Sequence, residues 1–426
     1  MPKVVVVGGG WAGCGAALAA KQAGAEVEVL ERTDCLLGTG LVGGIFRNNG
    51  RFTATEEMIA MGAGELFVLM DKVSRHKNIN FPGHQHASLY DVALMEPTVK
   101  RYMLEKGIVL KMQYRAIDVS VEGGKINAIE IENHDVVEGD VFIETTGTAG
   151  PQVNCTKFGN GCAMCILRCP SFGGRVSIAA KAGIPERVGK KSDGTIGAMS
   201  GSCKLHFDSV SPEIAAKLRE TGVAIVPIPK ELIHTDKLVT KACQQYALPE
   251  FAENVILLDT GHVKLMTPFI PLDELRQIPG MENARYEDPY SGGRGNSIRY
   301  LALSPRTDEL QVVGIENLFC AGEKAGLLVG HTEAIVTGVL AGNNAVRCAL
   351  GKALVKIPTT LSIGDAITFV REQMETEVGM SQKYTFSGST YFKRMQALNL
   401  YTIDIQAIKG RVESARMTNF FALPIL

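Results

Sequence analysis

The stretch VVVVGGGWAG, residues 4–13, restricts the fold more than any other part of the chain. Its four consecutive valines predict a buried parallel strand. The glycines that follow fit the pattern G-x-G-x-x-G. The alanine-rich residues 12–23 predict a helix that Gly24 ends, and AEVEVLER then predicts a second strand that ends at Glu31. Strand, glycine turn, helix and strand in this order predict a Rossmann-like α/β fold.

Gly8, Gly10 and Gly13 have separate physical roles in such a unit. The first glycine allows a tight turn, the second lets the backbone approach a pyrophosphate, and the third lets helix and strand pack closely. The N-terminus of the helix then faces the phosphate charge. Glu31 ends the second strand, where a carboxylate can accept hydrogen bonds from ribose hydroxyls. The sequence therefore predicts a dinucleotide site, with a purely structural glycine turn as the alternative.

The residues after Glu31 favour FAD over NAD. Arg32 and the glycine-rich LLGTGLVGG, residues 36–44 with Gly40 among them, resemble FAD-binding two-dinucleotide-fold flavoproteins. In those proteins the glycines run along the diphosphate towards the flavin. A plain glycine-rich loop is the alternative interpretation.

Two later segments complete the predicted cofactor half. VFIETTGTAG, residues 141–150, predicts a buried strand. It resembles the strand that, in FAD proteins of this build, runs into T-G, and this resemblance implies that Gly147 lies against the adenosine end. ENLFCAGE predicts a strand that ends at Gly322 and Glu323, where the carboxylate can reach the ribityl chain. A helix predicted over residues 332–350 then directs its N-terminus at the flavin pyrimidine, where reduced flavin is negative.

With 426 residues, the chain is too long for one ordinary core. We predict a discontinuous FAD-binding domain over residues 1–150 and 265–355. Residues 151–264 would form an inserted, smaller cap or substrate domain. Residues 356–426 would form a C-terminal extension that packs on the FAD-binding domain.

The charge and composition of the chain limit which binding partners are expected. The net charge of −1 provides no global positive field, so nucleic acid is a possible but not a favoured partner. A small-molecule substrate or a redox carrier is favoured, and an oligomer is possible. The N-terminus does not resemble a signal peptide and no apolar run is long enough to span a bilayer, which predicts a cytoplasmic protein without a membrane partner. In a reducing compartment, ten cysteines are expected to be thiols or metal ligands.

Four of these cysteines fall in CTKFGNGCAMCILRCP, residues 155–170. Cys162, Cys165 and Cys169, followed by a proline, match the end of the bacterial ferredoxin pattern C-x2-C-x2-C-x3-C-P. Cys155 lies further upstream than the pattern requires, and the glycines between it and Cys162 let the loop fold back. We predict a [4Fe–4S] cluster held by these four thiolates.

Other interpretations of the cysteine cluster stay open. The same ligands can hold zinc, although two separated C-x2-4-C pairs are the usual zinc pattern. A Cys162–Cys165 disulfide can exchange electrons with FAD, or the thiols can be free. Cys203 can replace Cys155 as the fourth ligand. The remaining cysteines are interpreted as small buried hydrophobic residues: Cys14, Cys35, Cys243, Cys320 and Cys348.

Several runs in the second half resemble one family. IPGMENA, NSIRYLALSP, NLFCAGE, HTEAIVTGVLAGNNA and PTTLSIGDAI are similar to the glucose-inhibited division protein A superfamily, and most to its folate-dependent tRNA uridine methyltransferase flavoproteins. The N-terminal 150 residues are similar to a broader set of FAD-dependent oxidoreductases. The resemblance implies that FAD contacts Gly8, Gly10, Gly13, Glu31, Gly147, Gly322, Glu323 and Thr332.

The chain departs from the methyltransferases at their functional cysteines. FRNNGRF, residues 46–52, stands where they carry a cysteine, and their second functional cysteine has no clear counterpart. We therefore predict an FAD-dependent oxidoreductase in which the cluster relays electrons to or from the flavin. A flavin- and folate-dependent RNA uridine methyltransferase and a flavin–dithiol oxidoreductase are the alternatives.

The catalytic residues are less constrained by the sequence. His331 precedes the predicted last helix of the cofactor half, and Arg294 and Arg299 resemble family positions that face the active site. All three are candidates, with surface ion pairs as the alternative for the arginines. His84 and His86 in PGHQHAS are read as a loop near the substrate or as an ordinary polar loop.

Overall fold

The computed structural model describes residues 1–147, 169–190, 194–196, 203–240, 244–267, 270–287 and 301–425, without the side chains of 169, 170, 239, 240 and 244. The predicted α/β fold is confirmed. The described strands are β1 Lys3–Val7, β2 Glu26–Glu31, β3 Ile45–Phe46, β4 Ser74–Phe81, β5 His84–Tyr90, β6 Val109–Met112, β7 Ala116–Glu122, β8 Lys125–Ile131, β9 Val137–Glu138, β10 Val141–Glu144, β11 Arg187–Val188, β12 Cys203–Leu205, β13 Val223–Pro227, β14 Asn254–Asp259, β15 Val263–Leu265, β16 Ala302–Leu303 and β17 Leu318–Cys320.

The described α-helices alternate with these strands and then dominate the C-terminal part. They are α1 Trp11–Gln22, α2 Gly50–Ala60, α3 Glu65–Lys72, α4 Val92–Glu105, α5 Cys169–Phe172, α6 Ile178–Lys181, α7 Pro212–Thr221, α8 Glu250–Glu253, α9 Leu272–Leu275, α10 His331–Ala349, α11 Ser362–Gln373, α12 Glu377–Met380, α13 Ser389–Ala397 and α14 Ile405–Ser414. Within the described ranges, none of the helices combines the length and the apolar character needed to cross a membrane.

A five-stranded parallel sheet, ordered β17-β10-β1-β2-β6, positions the site. β1 lies at its centre, with Val4 paired to Val27 on one side and to Val141 on the other. Val4, Val5 and Val6 are fully buried, as expected for a strand covered on both faces. The predicted strand–helix–strand unit and the two later strands that rejoin it are confirmed.

Helices α1 and α10 pack against each other through unusually close backbones. A Cβ atom on Gly338 would lie 2.2 Å from the carbonyl oxygen of Ala12, and one on Gly342 would lie 2.2 Å from that of Ala16. Any larger side chain would separate the two helices. This packing places the N-termini of both helices at the same edge of the parallel sheet, because β1 leads into α1 and β17 leads towards α10.

An antiparallel sheet, β7-β8-β9, follows the parallel strand β6. Its hairpin turns at Gly123 and Gly124, with φ angles of +56° and +79°. Positive φ at both central residues is the geometry that suits the twist of a two-residue hairpin.

A second layer combines the four-stranded sheet β12-β15-β14-β13 with the three-stranded sheet β3-β5-β4. Phe81 and Leu89 of the smaller sheet share one apolar cluster with Ile256 and Leu258 of the larger one. The β4–β5 hairpin therefore packs with the strands that follow residue 203. The domain boundaries drawn from the sequence stay a prediction.

The residues up to Tyr90 that precede α4 belong to β5. Asp91 starts the helix by accepting hydrogen bonds from the backbone N–H groups of Ala93 and Leu94. The helix ends before Gly107, whose φ is +72°. The polar run His84–His86 at the start of β5 resembles a loop, although the strand is buried from Ala87 to Tyr90.

The C-terminal helices pack on the N-terminal part of the chain, including α2, through buried polar contacts. The carboxylate of Glu57 on α2 accepts hydrogen bonds from the backbone N–H groups of Ser362 and Ile363 at the start of α11. Burial raises the pKa of Glu57, partly offset by these bonds and by Arg411. The carboxylate thus caps a helix that lacks a side-chain cap of its own.

Candidate cofactor site

An open cleft lies at the carboxyl edge of the parallel sheet. This edge is where open α/β sheets bind their ligands. The cleft is lined by seven of the ten predicted cofactor residues: Gly8, Gly10, Glu31, Arg32, Gly147, Gly322 and Glu323. The structure thus brings together residues from strands that are more than 300 positions apart in the sequence.

The fingerprint glycines divide into open and close-packed positions. A Cβ atom on Gly10 or Gly147 would meet no atom within 4 Å, so these backbones border open space. A Cβ atom on Gly13 would lie 1.8 Å from the carbonyl oxygen of Gly8, so Gly13 serves the close packing of α1 on β1. The open space over Gly10, at the N-terminus of α1, fits a diphosphate group.

Glu31 is nearly buried, 7% exposed, and its carboxylate is fixed by backbone donors. One oxygen accepts a hydrogen bond from the Gly9 N–H at 2.7 Å and the other accepts one from the Thr33 N–H at 2.8 Å. Each carboxylate oxygen has capacity for a second hydrogen bond. A carboxylate held in this way at the cleft wall fits the two hydroxyls of a ribose.

Arg32 and Arg115 hold a strap formed by residues 173–176 across the same end of the cleft. The Arg32 guanidinium donates to the Gly173 carbonyl oxygen, and Arg115 Nε donates to that of Gly174 at 2.9 Å. Arg175 and Val176 of the strap line the cleft. Arg32 therefore donates a hydrogen bond to the strap and also lines the cleft.

A buried ion network fixes Arg175. Its guanidinium donates to both carboxylate oxygens of Glu186, at 3.0 and 3.3 Å, and Lys324 also pairs with Glu186. Lys324 further donates to Ser177 Oγ at 2.7 Å and lies 3.4 Å from a carboxylate oxygen of Glu144. Burial alone would raise the pKa of Glu186, but Arg175 and Lys324 lower it to about 2. The carboxylate is therefore ionised in the native protein, and the strap is tied to the ends of β10 and β17.

The N-terminus of α10 forms the opposite end of the cleft. Gly330 and His331 line it, and a Cβ atom on Gly43 would lie 1.6 Å from the His331 ring. The imidazole Nδ1 lies 3.3 Å from the hydroxyl oxygen of Tyr90. The positive end of the helix dipole and this imidazole together suit a group that gains negative charge.

Arg51 and Glu333 form a buried ion pair below this helix terminus. Arg51 Nε lies 3.1 Å from both carboxylate oxygens of Glu333. Glu333 also accepts hydrogen bonds from Thr385 Oγ1 and the Phe386 N–H. A Cβ atom on Gly330 would lie 2.1 Å from each partner, so the pair requires glycine at that position.

The family profile of the glucose inhibited division protein A matches residues 3–255 and 263–353, which is most of the chain. The chain belongs to this family. Among solved structures, it resembles GidA from Aquifex aeolicus in two crystal forms, with TM-scores of 0.67 and 0.61 at 18% and 16% identity. These alignments cover 98% and 97% of this chain and 74% and 78% of the GidA chains, and they show a common fold.

Two curated relatives of this GidA-family chain carry named activities. The tRNA uridine 5-carboxymethylaminomethyl modification enzyme MnmG of Chlorobaculum tepidum is 25% identical over 418 residues. That alignment covers 83% of this chain and 64% of MnmG, so this chain spans less than two thirds of that relative. The methylenetetrahydrofolate–tRNA-(uracil-5-)-methyltransferase TrmFO of Dictyoglomus thermophilum is 37% identical over 97 residues, 22% of this chain and 21% of TrmFO. The chain is an FAD-dependent protein of the GidA superfamily, as the resemblance implied.

Three predicted cofactor residues of this GidA-family chain do not line the cleft. Gly13 packs α1 on β1, and Gly40 lies against the Trp11 indole, because a Cβ atom on Gly40 would be 2.3 Å from its Nε1. Thr332 is fully buried, and its hydroxyl has no hydrogen-bond partner within the described residues. The three roles in FAD binding stay a prediction.

His84 and His86 lie on strand β5, so the interpretation of PGHQHAS as a loop is wrong for both. His84 is buried, with Nδ1 2.9 Å from Asn48 Nδ2 and Nε2 3.1 Å from the Gln245 carbonyl oxygen. Burial lowers the pKa of His84 to about 3. The ring is therefore neutral, and it accepts from Asn48 and donates to Gln245.

The remaining candidates fall outside the described residues. They are the arginines Arg294 and Arg299 and the cysteines Cys155, Cys162 and Cys165, together with the side chain of Cys169 and the whole of Cys243. No group of three or more potential ligands within the described ranges could hold a metal ion. Cys14 and Cys320 are buried, as predicted, whereas Cys35 and Cys348 are only partly buried, so the prediction is wrong for these two. Burial raises the pKa of all four thiols.

Sequence reasoning missed the wall that the second layer contributes to the cleft. Gln245, Tyr246, Lys264 and Met266 all line it, and Lys264 donates to the Val42 carbonyl oxygen. Arg51, which also lines the cleft, was missed as well. No motif marks these residues, because they meet the cofactor half only through tertiary packing.

Proposed function

We propose that this protein is an FAD-dependent enzyme that modifies the uracil base of a tRNA at position 5. The observation that carries the proposal is the extent of the family match, which runs from residue 3 to residue 255 and resumes at 263. A flavoprotein that shared only its cofactor with this family would match over the nucleotide-binding segments alone. Here the matched residues also include the second layer, which faces the cleft opposite the sheet.

The names of both relatives support the choice of substrate. MnmG is named for a modification at position 5 of tRNA uridine, and TrmFO for methylation at position 5 of uracil in tRNA. Both names describe a carbon substituent on the same ring atom. Bound FAD would supply two-electron chemistry for such a reaction, while the protein positions the reactants.

The cleft offers separate places for cofactor and base. Gly10 and Gly147 border the open space that suits the cofactor's diphosphate and adenosine parts. Tyr246 and Met266, from the second layer, also line the cleft. A base that reacts in such a cleft must leave its stack, and aromatic and apolar side chains then replace the stacking contacts.

No cysteine is among the described residues that line the cleft. In the FRNNGRF segment, Arg47 pairs with Asp71 and Glu56, and Asn48 bonds His84. Arg47 and Asn48 thus make structural contacts, and the segment contains no cysteine thiol. The proposal therefore assigns no nucleophile to this segment.

The test is an assay with FAD-loaded protein, a reductant, methylenetetrahydrofolate and an unmodified tRNA transcript. Mass spectrometry of the digested nucleosides should show a uridine with added mass, and reactions without FAD should lack it. Because a chain of net charge −1 neutralises few phosphates, low ionic strength is the appropriate condition. Unchanged nucleosides together with rapid flavin turnover by a small redox carrier would favour the plain oxidoreductase instead.

As a second candidate, we propose an electron relay by a [4Fe–4S] cluster on Cys155, Cys162, Cys165 and Cys169. The support is the ferredoxin-like spacing and the position of the flanking residues. Gly147 before the cysteines and Arg175 after them both line the cofactor cleft. The Cys162–Cys165 disulfide remains the alternative to the cluster.

Anaerobic purification with iron and sulfide assays tests the cluster. About four irons and four sulfides per chain are expected. Cys165→Ala should lose iron and retain FAD. Stoichiometric zinc, or a preparation whose thiols all titrate without metal, would refute it.

A further inference from the structure

The Gln245 side chain is a buried polar group that the cofactor site leaves unused. Gln245 lines the cleft and is 7% exposed. Within the described residues, only its backbone carbonyl oxygen is bonded, to His84 Nε2 at 3.1 Å. Its carboxamide makes no hydrogen bond to a described residue. Because no described residue pairs with it, the carboxamide is available to hydrogen-bond a ligand in the cleft.

The backbone around Gln245 is held firmly, so the carboxamide has a defined place. His84 is itself fixed by Asn48, and burial keeps its imidazole neutral. The His84 ring contacts Phe81 and Tyr246 at tilted angles, with centroid distances of 4.7 Å to each. A Cβ atom on Gly388 would lie 2.4 Å from Gln245 Cβ, so the stem of the side chain is enclosed as well.

The chemistry of the carboxamide limits the partner. It presents an N–H donor beside a carbonyl acceptor, and so it pairs with an edge that presents an acceptor beside a donor. An imide edge, C=O next to N–H, has this arrangement. Tyr246, Met266 and Ile45 belong to one apolar cluster, line the cleft and provide the aromatic and apolar surface that a planar ring needs.

We propose that the Gln245 carboxamide pairs with the imide edge of a pyrimidine ring, and that this ring is the substrate's uracil. The proposal rests on the proposed function, because it takes RNA as the substrate. The isoalloxazine of FAD carries the same imide edge and is the other possible source. His84 acts as a positioning residue, because it bonds the Gln245 backbone and borders Tyr246.

The experiment compares Gln245→Leu and Gln245→Glu with the wild type and with Gln406→Leu. Gln406 is an exposed residue on α14, outside the cleft lining, and provides the matched control. Two quantities are measured for each protein. One is FAD affinity, from fluorescence titration of the apoprotein. The other is binding of a short oligouridylate and of the same oligomer made with N3-methyluridine, which lacks the imide N–H.

The wild type and Gln406→Leu should bind oligouridylate about tenfold more tightly than the methylated oligomer, the scale expected when a buried donor or acceptor loses its partner. Gln245→Leu should lose this preference and retain FAD affinity, which also shows that it folds. Gln245→Glu should weaken oligouridylate binding, because a carboxylate faces the uracil carbonyl.

Three results would overturn the proposal in distinguishable ways. If the wild type binds both oligomers with equal affinity, the imide contact is refuted and the proposed function is unaffected. A tenfold loss of FAD affinity in Gln245→Leu, with the oligomer preference intact, assigns the carboxamide to the flavin. No binding of either oligomer or of tRNA by the wild type refutes the proposed function, and the uracil contact falls with it.

Discussion

Gly10→Ala should strongly weaken FAD binding without disturbing the fold. The backbone at Gly10 has φ −69° and ψ −178°, which any residue can adopt. A Cβ atom there would meet nothing within 4 Å, so the new methyl group enters the open space over the N-terminus of α1. Since alanine also lowers the entropy of the unfolded chain, the apoprotein should be unchanged or more stable by up to about 1 kcal/mol.

The loss of FAD affinity can be scaled from the contacts at stake. A methyl group between the diphosphate and the helix terminus displaces hydrogen bonds from backbone N–H groups to a charged acceptor, each about 1.5–3 kcal/mol. Two such bonds correspond to a loss of affinity of about a hundredfold or more. Gly10→Val should have a stronger effect, because its side chain is larger.

Gly13→Ala is the matched control for Gly10→Ala. Its Cβ would lie 1.8 Å from the Gly8 carbonyl oxygen and 2.8 Å from Thr145 Oγ1. The helix must then move away from the strand, which should cost about 1–3 kcal/mol of stability. Thermal unfolding of the apoproteins and FAD titration separate the two effects. If Gly10→Ala binds FAD as tightly as the wild type, the diphosphate does not cross this backbone and the reasoning is wrong.

Three further predictions concern buried charges. Glu186→Gln should cost about 3 kcal/mol, because it removes the carboxylate that pairs with both Arg175 and Lys324 and leaves Lys324 only the Glu144 carboxylate at 3.4 Å. The folded pKa of about 2 lies below the ordinary 4.5, so this stabilisation is present above pH 4.5 and is lost as the pH falls towards 2. The difference in urea-unfolding free energy between wild type and variant should narrow over that range. The free energy of unfolding of the wild type should fall as the pH drops from 6.5 towards 3, because over this range His84 takes up a proton only in the unfolded chain. His84→Gln should lack this contribution to the pH dependence. Arg51→Met should cost about 3–5 kcal/mol of folding stability, because it leaves Glu333 without its arginine. Adding Glu333→Gln should restore part of that stability. Equal melting temperatures of the single and double variants would argue against the ion pair.

The cofactor half was predictable from sequence because its signals are local. Val4–Val7, the glycines after them and Glu31 lie within one strand–helix–strand unit, and each residue type has a direct physical reason for its place. Gly147 and Glu323 were placed at the same cleft because parallel strands meet at one edge of a sheet. The resemblance then joined these segments into one fold.

The part of the cleft that is proposed to bind the substrate could not be predicted from local sequence signals. The β4–β5 hairpin includes the polar run HKN and the two histidines of PGHQHAS, and only its packing against β13 and β14 makes it a strand pair. Arg51 finds its partner Glu333 across 282 positions. Gln245 becomes visible only when burial shows that its carboxamide has no described partner. Such positions have no local pattern, because the fold alone brings them together.

The most direct test of the proposed function is a comparison of tRNA nucleosides from cells with and without the gene. Mass spectrometry should show that one uridine substituted at position 5 disappears with the gene. The wild-type gene should restore it, and a gene that carries Gly10→Ala should not. An identical set of modified uridines in both strains, with the protein expressed and loaded with FAD, would contradict the account.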